Sequence, residues 1–238
     1  MKIINNKNLR AHINEEGAYV ESFTFKDKEV FFDKKSLPLG DSYKIRGGMH
    51  VCAPNFSDDK LLNELPSHGF GRDERWEVVD YGKDYLKLGL KGLGSYKEVY
   101  FEISYKLLED GLKTRLTIEN KGEESLPIAS AFHPYFATKF EDLKLYGHDI
   151  EKKDLPDSIF VEADSMTFSK ADMEVEIKGN ENIGTFTIWS DFLDDYVCIE
   201  PTYNGKSFLA DDLEPFYLEK GKTFVQEFDV LIKDIQDN

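Results

Sequence analysis

Apolar and polar residues alternate one by one along much of this chain, and a period of two is the pattern of half-buried β-strands. The clearest example runs from Val99 to Leu107, where every odd-numbered residue is apolar. After Asp110-Gly111, a strong signal for a tight turn, the alternation resumes from Leu112 to Ile118. The sequence therefore predicts an antiparallel β-hairpin over residues 99–119.

Similar short runs recur along the chain, separated by Gly, Asp, Asn and Lys turns. They predict strands over 18–25, 29–32, 76–81, 85–90, 159–163, 185–189, 196–200 and 224–232. A short helical turn is predicted only for residues 58–65. Many short strands with almost no helical period indicate an all-β fold, a large antiparallel β-sandwich with very little helix. Because no linker or repeat divides the sequence, we expect one domain over residues 1–238.

Charge and cysteine usage restrict the partners and the compartment. Acidic residues outnumber basic residues 46 to 30, so the formal charge is −16 and neither nucleic acid nor an anionic membrane is an expected partner. Residues 1–7 lack the apolar core of a signal peptide, and no apolar run is long enough to span a bilayer. Cys52 and Cys198 form no Cys-x-x-Cys pair, which favours a reducing compartment. We therefore expect a cytoplasmic protein.

Glu200 is the first candidate for chemistry. Val197 and Ile199 share one face of a predicted strand, and Glu200 follows at what reads as the strand's tip, where Pro201 stops the ladder. A carboxylate held by rigid backbone at a cleft suits a general base, and partial burial would raise its pKa. The alternative interpretation is an ordinary surface charge at a strand end.

Two histidines lie in unusual settings. His68 is in the segment Leu65-Pro66-Ser67-His68-Gly69-Phe70-Gly71-Arg72, whose glycines let the backbone approach a ligand closely. A histidine that caps its own turn explains this segment equally well. His133 lies in an apolar stretch, where a histidine is more often structural than functional. Pro134 directly after it denies the strand a donor and indicates a strand end at the rim of a site.

Other residues carry weaker signals. Arg46 and Arg72 are candidates to hold sugar hydroxyls or a phosphate with forked hydrogen bonds, and each is equally explained as a surface charge. His50 and Cys52 alternate on a possible strand, but two ligands do not make a zinc site. Among the aromatic residues, four are interpreted as core, with sugar stacking as the alternative: Phe70, Trp76, Tyr135 and Trp189.

Taken together in chain order, these segments resemble the aldose 1-epimerase (galactose mutarotase) family. The N-terminal half is similar in the pattern from Arg46-Gly47-Gly48 to Pro54 and in the segment 65–72 around His68. Phe132-His133-Pro134-Tyr135-Phe136 resembles the family's His-x-Tyr-Phe segment. Val197-Cys198-Ile199-Glu200-Pro201 and the following residues 218–222 resemble its C-terminal motif. The likeness is greatest to the branch that includes hexose-6-phosphate mutarotases, although His50 stands where related sequences often carry proline.

The resemblance implies a β-sandwich that interconverts the α and β anomers of an aldose. By analogy with the family, Glu200 is the general base, His133 the general acid, and His68 binds near the ring oxygen. A sugar or sugar phosphate is the implied partner, with no metal or cofactor required. We expect the three side chains to share one cleft, with Glu200 and His133 about a pyranose width apart.

Three alternatives stay open. One is a hexose-6-phosphate mutarotase of the same fold, with Arg46 and Arg72 as its phosphate ligands. Another is a glycosidase, which needs a second carboxylate beside Glu200, for example Asp194, Asp195 or Asp211. The last is a non-catalytic carbohydrate-binding protein, which needs aromatic and hydrogen-bonding groups but no proton-transfer pair.

Overall fold

A computed structural model describes residues 1–58, 64–170, 172–205 and 214–235. Helix is confined, within those residues, to three short 3₁₀ turns at Gly94–Tyr96, Phe140–Asp142 and Lys152–Asp157. None of the helices in this part of the chain is long and apolar enough to cross a membrane. The helical turn expected at 58–65 falls largely outside the described residues.

Strands make up most of the structure. The N-terminal half contains β1 (Lys2–Asn5), β2 (Leu9–Asn14), β3 (Tyr19–Phe25), β4 (Lys28–Phe31), β5 (Lys35–Leu39), β6 (Ser42–Arg46), β7 (Met49–Cys52), β8 (Glu77–Tyr81), β9 (Tyr85–Lys91), β10 (Val99–Leu107) and β11 (Gly111–Asn120). The C-terminal half contains β12 (Leu126–Ile128), β13 (Ala131–Ala137), β14 (Leu143–Leu145), β15 (Ile159–Glu162), β16 (Ser165–Lys170), β17 (Met173–Gly179), β18 (Thr185–Trp189), β19 (Tyr196–Thr202), β20 (Phe216–Leu218) and β21 (Thr223–Asp234).

Seventeen of these strands form two large antiparallel sheets, and β5-β6 and β12-β20 form two small two-stranded sheets. The nine-stranded sheet has the order β1-β2-β3-β4-β13-β19-β18-β15, and β7 pairs with both β13 and β3. The eight-stranded sheet has the order β14-β16-β17-β21-β11-β10-β9-β8. Buried apolar residues from both sheets form one continuous core. The all-β sandwich with very little helix is therefore confirmed.

The predicted antiparallel hairpin is present. β10 pairs with β11, Leu107 lies opposite Leu112, and the apolar positions of both strands face the core. The sequence analysis missed several strands, among them the hairpin of β16 and β17, although Met173, Val175 and Ile177 alternate in the expected way.

The nine-stranded sheet carries polar residues on its outer face, away from the core. On β19, Val197 and Ile199 pack in the core, so Cys198 and Glu200 point to the opposite side. Glu200 and Pro201 lie inside this strand, and Pro134 lies inside β13, so the expected strand ends at these positions are wrong.

The two prolines are tolerated because they fall in one gap between β13 and β19. Ala131 pairs with Thr202 and Tyr135 with Cys198, but the residues between them form no bridge across these strands. A proline cannot donate to a ladder, so placing Pro134 and Pro201 in the same interruption costs the sheet few hydrogen bonds. This gap lies beside His133 and Glu200.

Lys170 links the two sheets through the core. It is only 4% exposed, and its Nζ donates to the carbonyl oxygens of Glu29 on β4 and Ala137 on β13, each at 2.8 Å. Burial lowers the pKa of Lys170 to about 8, against an ordinary value of 10.5. Between these values the unfolded chain binds more protons than the folded chain, so this residue makes stability rise with pH.

We therefore expect the stability of the unmodified protein to rise by about 2 kcal/mol, relative to Lys170→Met, between pH 7.5 and pH 10. Urea unfolding of both proteins at the two pH values measures this difference. The other titrating groups contribute equally to both proteins, so their effect on stability is removed by the comparison. A difference that stays constant or falls with pH would show that the folded protein does not favour the neutral amine.

Candidate active site

A row of polar residues crosses four adjacent strands on the outer face of the nine-stranded sheet. His50 on β7 is in register with His133 on β13, and Glu200 on β19 is in register with Thr187 on β18. Ala131 pairs with Thr202 and Tyr135 with Cys198 on either side of the proline gap, and this register places His133 opposite Glu200. All four side chains are buried, which is unusual for such polar groups.

The centre of this row is the His133–Glu200 pair. His133 Nε2 lies 3.6 Å from Glu200 Oε1, so the side chains are neighbours without a hydrogen bond. The expected separation by a pyranose width is wrong. The physical reason is the strand register: His133 on β13 lies opposite Glu200 on β19, and opposite residues on neighbouring strands have Cβ atoms only about 5 Å apart.

Several polar atoms of the row have no partner. Glu200 Oε2, His133 Nδ1 and Thr187 Oγ1 are buried without a hydrogen bond among the described residues. Leaving such atoms unpaired costs free energy, and a polar ligand that fills the site removes that cost. The row is therefore arranged to receive hydroxyl groups.

Burial shifts the pKa values of the pair toward the neutral forms. It raises the pKa of Glu200 well above its ordinary value. It lowers the pKa of His133 well below its ordinary value, and His50 and His68 lower it further. An ionised carboxylate beside an imidazolium and a carboxylic acid beside a neutral imidazole both hold one proton and have no net charge. The two groups therefore hold one proton between them in either state, and burial favours the state in which both are uncharged.

His68 completes the histidine cluster from the loop between β7 and β8. Its ring centroid lies 5.6 Å from that of His133 and 5.9 Å from that of His50. Nδ1 of His68 lies 2.5 Å from the carbonyl oxygen of Phe56, so this nitrogen is the donor and Nε2 is left as an acceptor. Burial, followed by the charge of Arg72, lowers the pKa of His68 to about 4, which keeps the ring neutral at pH 7.

The loop that carries His68 depends on Gly69. Both residues have positive φ, 66° and 67° respectively. A Cβ at position 69 would lie 2.1 Å from the carbonyl oxygen of Ala53, so only glycine fits there. The glycines of this segment therefore bring the loop against β7, which places His68 beside His50.

Both arginines of the sequence analysis line the same cavity, but they are engaged differently. Arg46 donates from Nε and Nη2 to Asp191 Oδ2, at 2.9 and 2.7 Å, and lies over the ring of Trp189. Arg72 contacts protein more loosely, with Nη2 3.3 Å from the Ser67 carbonyl oxygen and Nε 3.8 Å from Asp73. Arg72 therefore retains more capacity to bind a ligand than Arg46.

The cavity has a volume of about 980 Å³, which accommodates a hexose or a hexose phosphate. Glu200, His133, His68, Arg46 and Arg72 all line it. The lining residues that sequence reasoning did not assign to the site include Tyr19, Lys44, His50 and Thr187. Of these, only His50 carried a signal, since it alternates with Cys52.

The aromatic residues divide between core and cavity. Phe70 and Trp76 are core residues, as expected. Tyr135 and Trp189 instead line the cavity, and their rings lie 4.7 and 5.8 Å from the His133 ring. The half-buried Trp189 thus offers an apolar surface to a sugar.

Two of the three carboxylates named for a glycosidase, Asp194 and Asp195, lie outside this site. Among the described lining residues the carboxylates are Glu16, Asp73 and Glu200. Asp194 and Asp195 do not line the cavity, and Asp194 pairs with Lys35 at 3.0 Å. Asp211 lies outside the described residues. The structure therefore gives no support to these partners for Glu200.

Comparison with known proteins identifies relatives. A family model described as aldose 1-epimerase matches residues 1–174, a span that contains His68 and His133 and ends before Glu200. A protein of Escherichia coli K12 described as "putative glucose-6-phosphate 1-epimerase" is 26% identical over 141 residues, which cover 56% of this chain and 47% of that protein. A protein of Salmonella typhimurium LT2 with the same description is 25% identical over 142 residues, with the same coverage of 56% and 47%. The chain spans about half the length of these curated relatives.

Solved structures share the fold along nearly the whole chain. A galactose mutarotase related enzyme from Lactobacillus acidophilus superposes with a TM-score of 0.78 at 18% identity, covering 98% of this chain and 97% of that one. A galactose mutarotase-like protein from Lactobacillus casei gives 0.78 at 18% identity, covering 98% and 100%. At this identity the likeness shows the shared fold.

Proposed function

The chain belongs to the aldose 1-epimerase family, and from that premise we propose that it interconverts the α and β anomers of a hexose by acid–base catalysis. The observation that carries the proposal is the buried His133–Glu200 pair, 3.6 Å apart at the base of a sugar-sized cavity. Proton transfer between these groups and the sugar needs no further reactant.

In the proposed reaction the pair reacts from its ionised state, in which the Glu200 carboxylate takes the proton of the anomeric hydroxyl while the His133 imidazolium gives its proton to the ring oxygen. The bond between the anomeric carbon and the ring oxygen breaks, and the open-chain aldehyde forms. After rotation about the adjacent carbon–carbon bond, the ring closes on the other face of the carbonyl. The two protons then return, so the pair ends in its starting state.

The neighbouring side chains support these roles. His68, neutral and with Nε2 as an acceptor, is suited to accept a hydrogen bond from a sugar hydroxyl. Thr187 Oγ1 offers a hydroxyl beside Glu200. Trp189 supplies the apolar surface against which a pyranose stacks.

Polarimetry tests the function. A freshly dissolved pure α anomer should reach its equilibrium rotation faster in the presence of catalytic amounts of protein, without a change in the final rotation. A carbohydrate-binding protein leaves the rate unchanged, and a glycosidase releases a reducing sugar from an aryl glycoside. Unaccelerated mutarotation across a panel of hexoses and hexose phosphates would reject the proposal.

Charge at the cavity favours an anionic sugar. Arg72 is only loosely engaged, and Lys44 lines the cavity without an ion pair to any described residue. Burial favours the neutral form of Glu200, so it repels an anion little. We therefore propose hexose phosphates as the preferred substrates, as the names of the two curated relatives suggest.

For the unmodified protein, kcat/KM for glucose 6-phosphate should exceed that for glucose by about 10- to 100-fold, as one charge-assisted hydrogen bond contributes about 1.5–3 kcal/mol. Arg72→Gln should remove much of this preference. Arg115→Gln should preserve it, because Arg115 lies on β11 in the other sheet. Coupled assays at matched ionic strength measure the ratios, and equal values for both sugars would reject an anionic substrate.

A further inference from the structure

Three potential metal ligands lie together at the His133–Glu200 pair: these two residues line the cavity, and Cys198 is buried close to them. Cys198, His133 and Glu200 each offer one donor atom, and these atoms lie within 4.8 Å of one another. Cys198 and Glu200 share the outer face of β19, and His133 lies opposite Glu200 on β13. The register of two neighbouring strands, rather than a flexible loop, therefore holds the donors in place.

The donors are buried and not committed to other partners. His133 and Glu200 are 6% and 1% exposed, and each has a buried polar atom without a hydrogen bond among the described residues. Cys198 is fully buried and carries a free thiol. Exposed donors already form hydrogen bonds with water. Buried donors without partners do not, so binding an ion lowers their free energy more.

The donor types select the class of ion. A sulfur, an imidazole nitrogen and a carboxylate oxygen form a set that suits zinc, whereas magnesium and calcium prefer oxygen ligands alone. Three protein ligands leave a fourth tetrahedral position for water or a sugar hydroxyl. With zinc–sulfur and zinc–nitrogen distances of about 2.3 and 2.0 Å, the donors need to approach one another by roughly 1 Å.

We propose that Cys198, His133 and Glu200 bind one zinc-type divalent cation, and that this ion inhibits the protein by occupying its acid–base pair. Binding converts the thiol to a thiolate, and its proton, with the proton shared by His133 and Glu200, passes to solvent. The ion is an inhibitor rather than a cofactor, because it takes the lone pairs that proton transfer needs. Ion binding is independent of the proposed function, whereas inhibition rests on it.

Cobalt(II) reports thiolate ligation directly and serves as the probe. Titrating the reduced full-length chain with cobalt(II) in metal-free buffer should produce a thiolate-to-cobalt charge-transfer absorption that saturates at one ion per chain. Zinc should displace the cobalt and abolish the band. A wild-type protein without this band, or with saturation far from one ion, would overturn the proposal.

Variants identify the ligands. Cys198→Ser should abolish the band and weaken cobalt binding at least about tenfold, since loss of even an outer hydrogen-bond partner of a ligand costs that much. Cys52→Ser is the matched control, because Cys52 is the other buried free thiol and lies outside the three-residue set. If Cys198→Ser fails to fold by circular dichroism, His133→Asn provides the second test, with the same expected weakening. A band retained in folded Cys198→Ser, or lost in Cys52→Ser, contradicts the assignment.

Inhibition is measured separately. Zinc should slow mutarotation, a chelator should restore the rate, and magnesium at equal concentration should have no effect. If the protein shows no mutarotation at all, the proposed function fails while the cobalt titration still decides whether the ion binds. If mutarotation is fast and zinc saturates the site without slowing it, the inhibitory role is wrong.

Discussion

Replacing Glu200 by Gln should lower kcat for anomer interconversion by roughly a hundred- to ten-thousand-fold, with a smaller change in KM. The amide keeps the shape and hydrogen-bonding capacity of the acid but cannot exchange a proton with the anomeric hydroxyl. General acid–base catalysis contributes about this factor. Initial rates over a range of sugar concentrations, corrected for the uncatalysed reaction, separate kcat from KM.

The loss should not come from unfolding. Burial already disfavours the ionised form of Glu200, so its pKa is raised and the neutral amide should be tolerated in its place. The urea midpoint of the Glu200→Gln variant at pH 7 should therefore equal or exceed that of the unmodified protein. Glu176→Gln, on β17 of the other sheet, is the matched control and should retain full activity. Full activity in Glu200→Gln would contradict the assignment of this group to proton transfer.

Replacing His133 by Asn should lower kcat by a similar factor, about a hundred- to ten-thousand-fold, because the ring oxygen no longer receives a positioned proton. In the proposed reaction His133 and Glu200 act in one concerted transfer, so the double variant should be little slower than either single variant. Rates of the two single variants and the double variant, measured under one set of conditions, complete the cycle.

The control for His133 is His12→Asn, which changes a histidine on β2 away from the cavity and should leave the rate unchanged. Losses that multiply in the double variant would show that His133 and Glu200 act independently. That result would leave each residue a role in the site but would reject the shared-proton pair.

Much of the fold was predictable because strand periodicity is local. The alternation from Val99 to Leu107 and the Asp110-Gly111 turn predicted the β10–β11 hairpin. The sequence also predicted which face of β19 packs in the core. Val197 and Ile199 indicated the core face, so Glu200 was expected on the opposite face. The order of strands in the sheets was not predictable, because pairing between distant strands depends on contacts that a local pattern does not contain.

The sequence singled out side chains that the structure brings to one cavity, but it did not give their geometry. His133 and Glu200 are 67 positions apart in the chain, and only the register of β13 with β19 sets their separation. The sequence placed strand ends at Pro134 and Pro201, because an isolated proline normally ends a ladder. Because both prolines fall in one gap of the ladder, they can stay inside their strands, and no single-strand pattern reveals that arrangement.

His50 shows a different limit. Judged as a metal ligand it had one possible neighbour, Cys52, and the pair was set aside. In the structure its ring lies 4.8 Å from the His133 ring, and it contributes to holding the pKa of His133 low. When one histidine shifts the pKa of another on a different strand, the spacing of the two in the sequence gives no indication of it.

The most direct test of the central claim is exchange NMR on an aldose at anomeric equilibrium. With unmodified protein present, cross-peaks between the α and β anomeric protons of glucose 6-phosphate or glucose should appear at mixing times where the sugar alone shows none. They should disappear at the same concentration of Glu200→Gln, while the equilibrium ratio of anomers stays constant in both samples. Exchange that is equally fast with the variant would contradict catalysis by the Glu200–His133 pair, and sugar binding without any exchange would show a carbohydrate-binding protein instead.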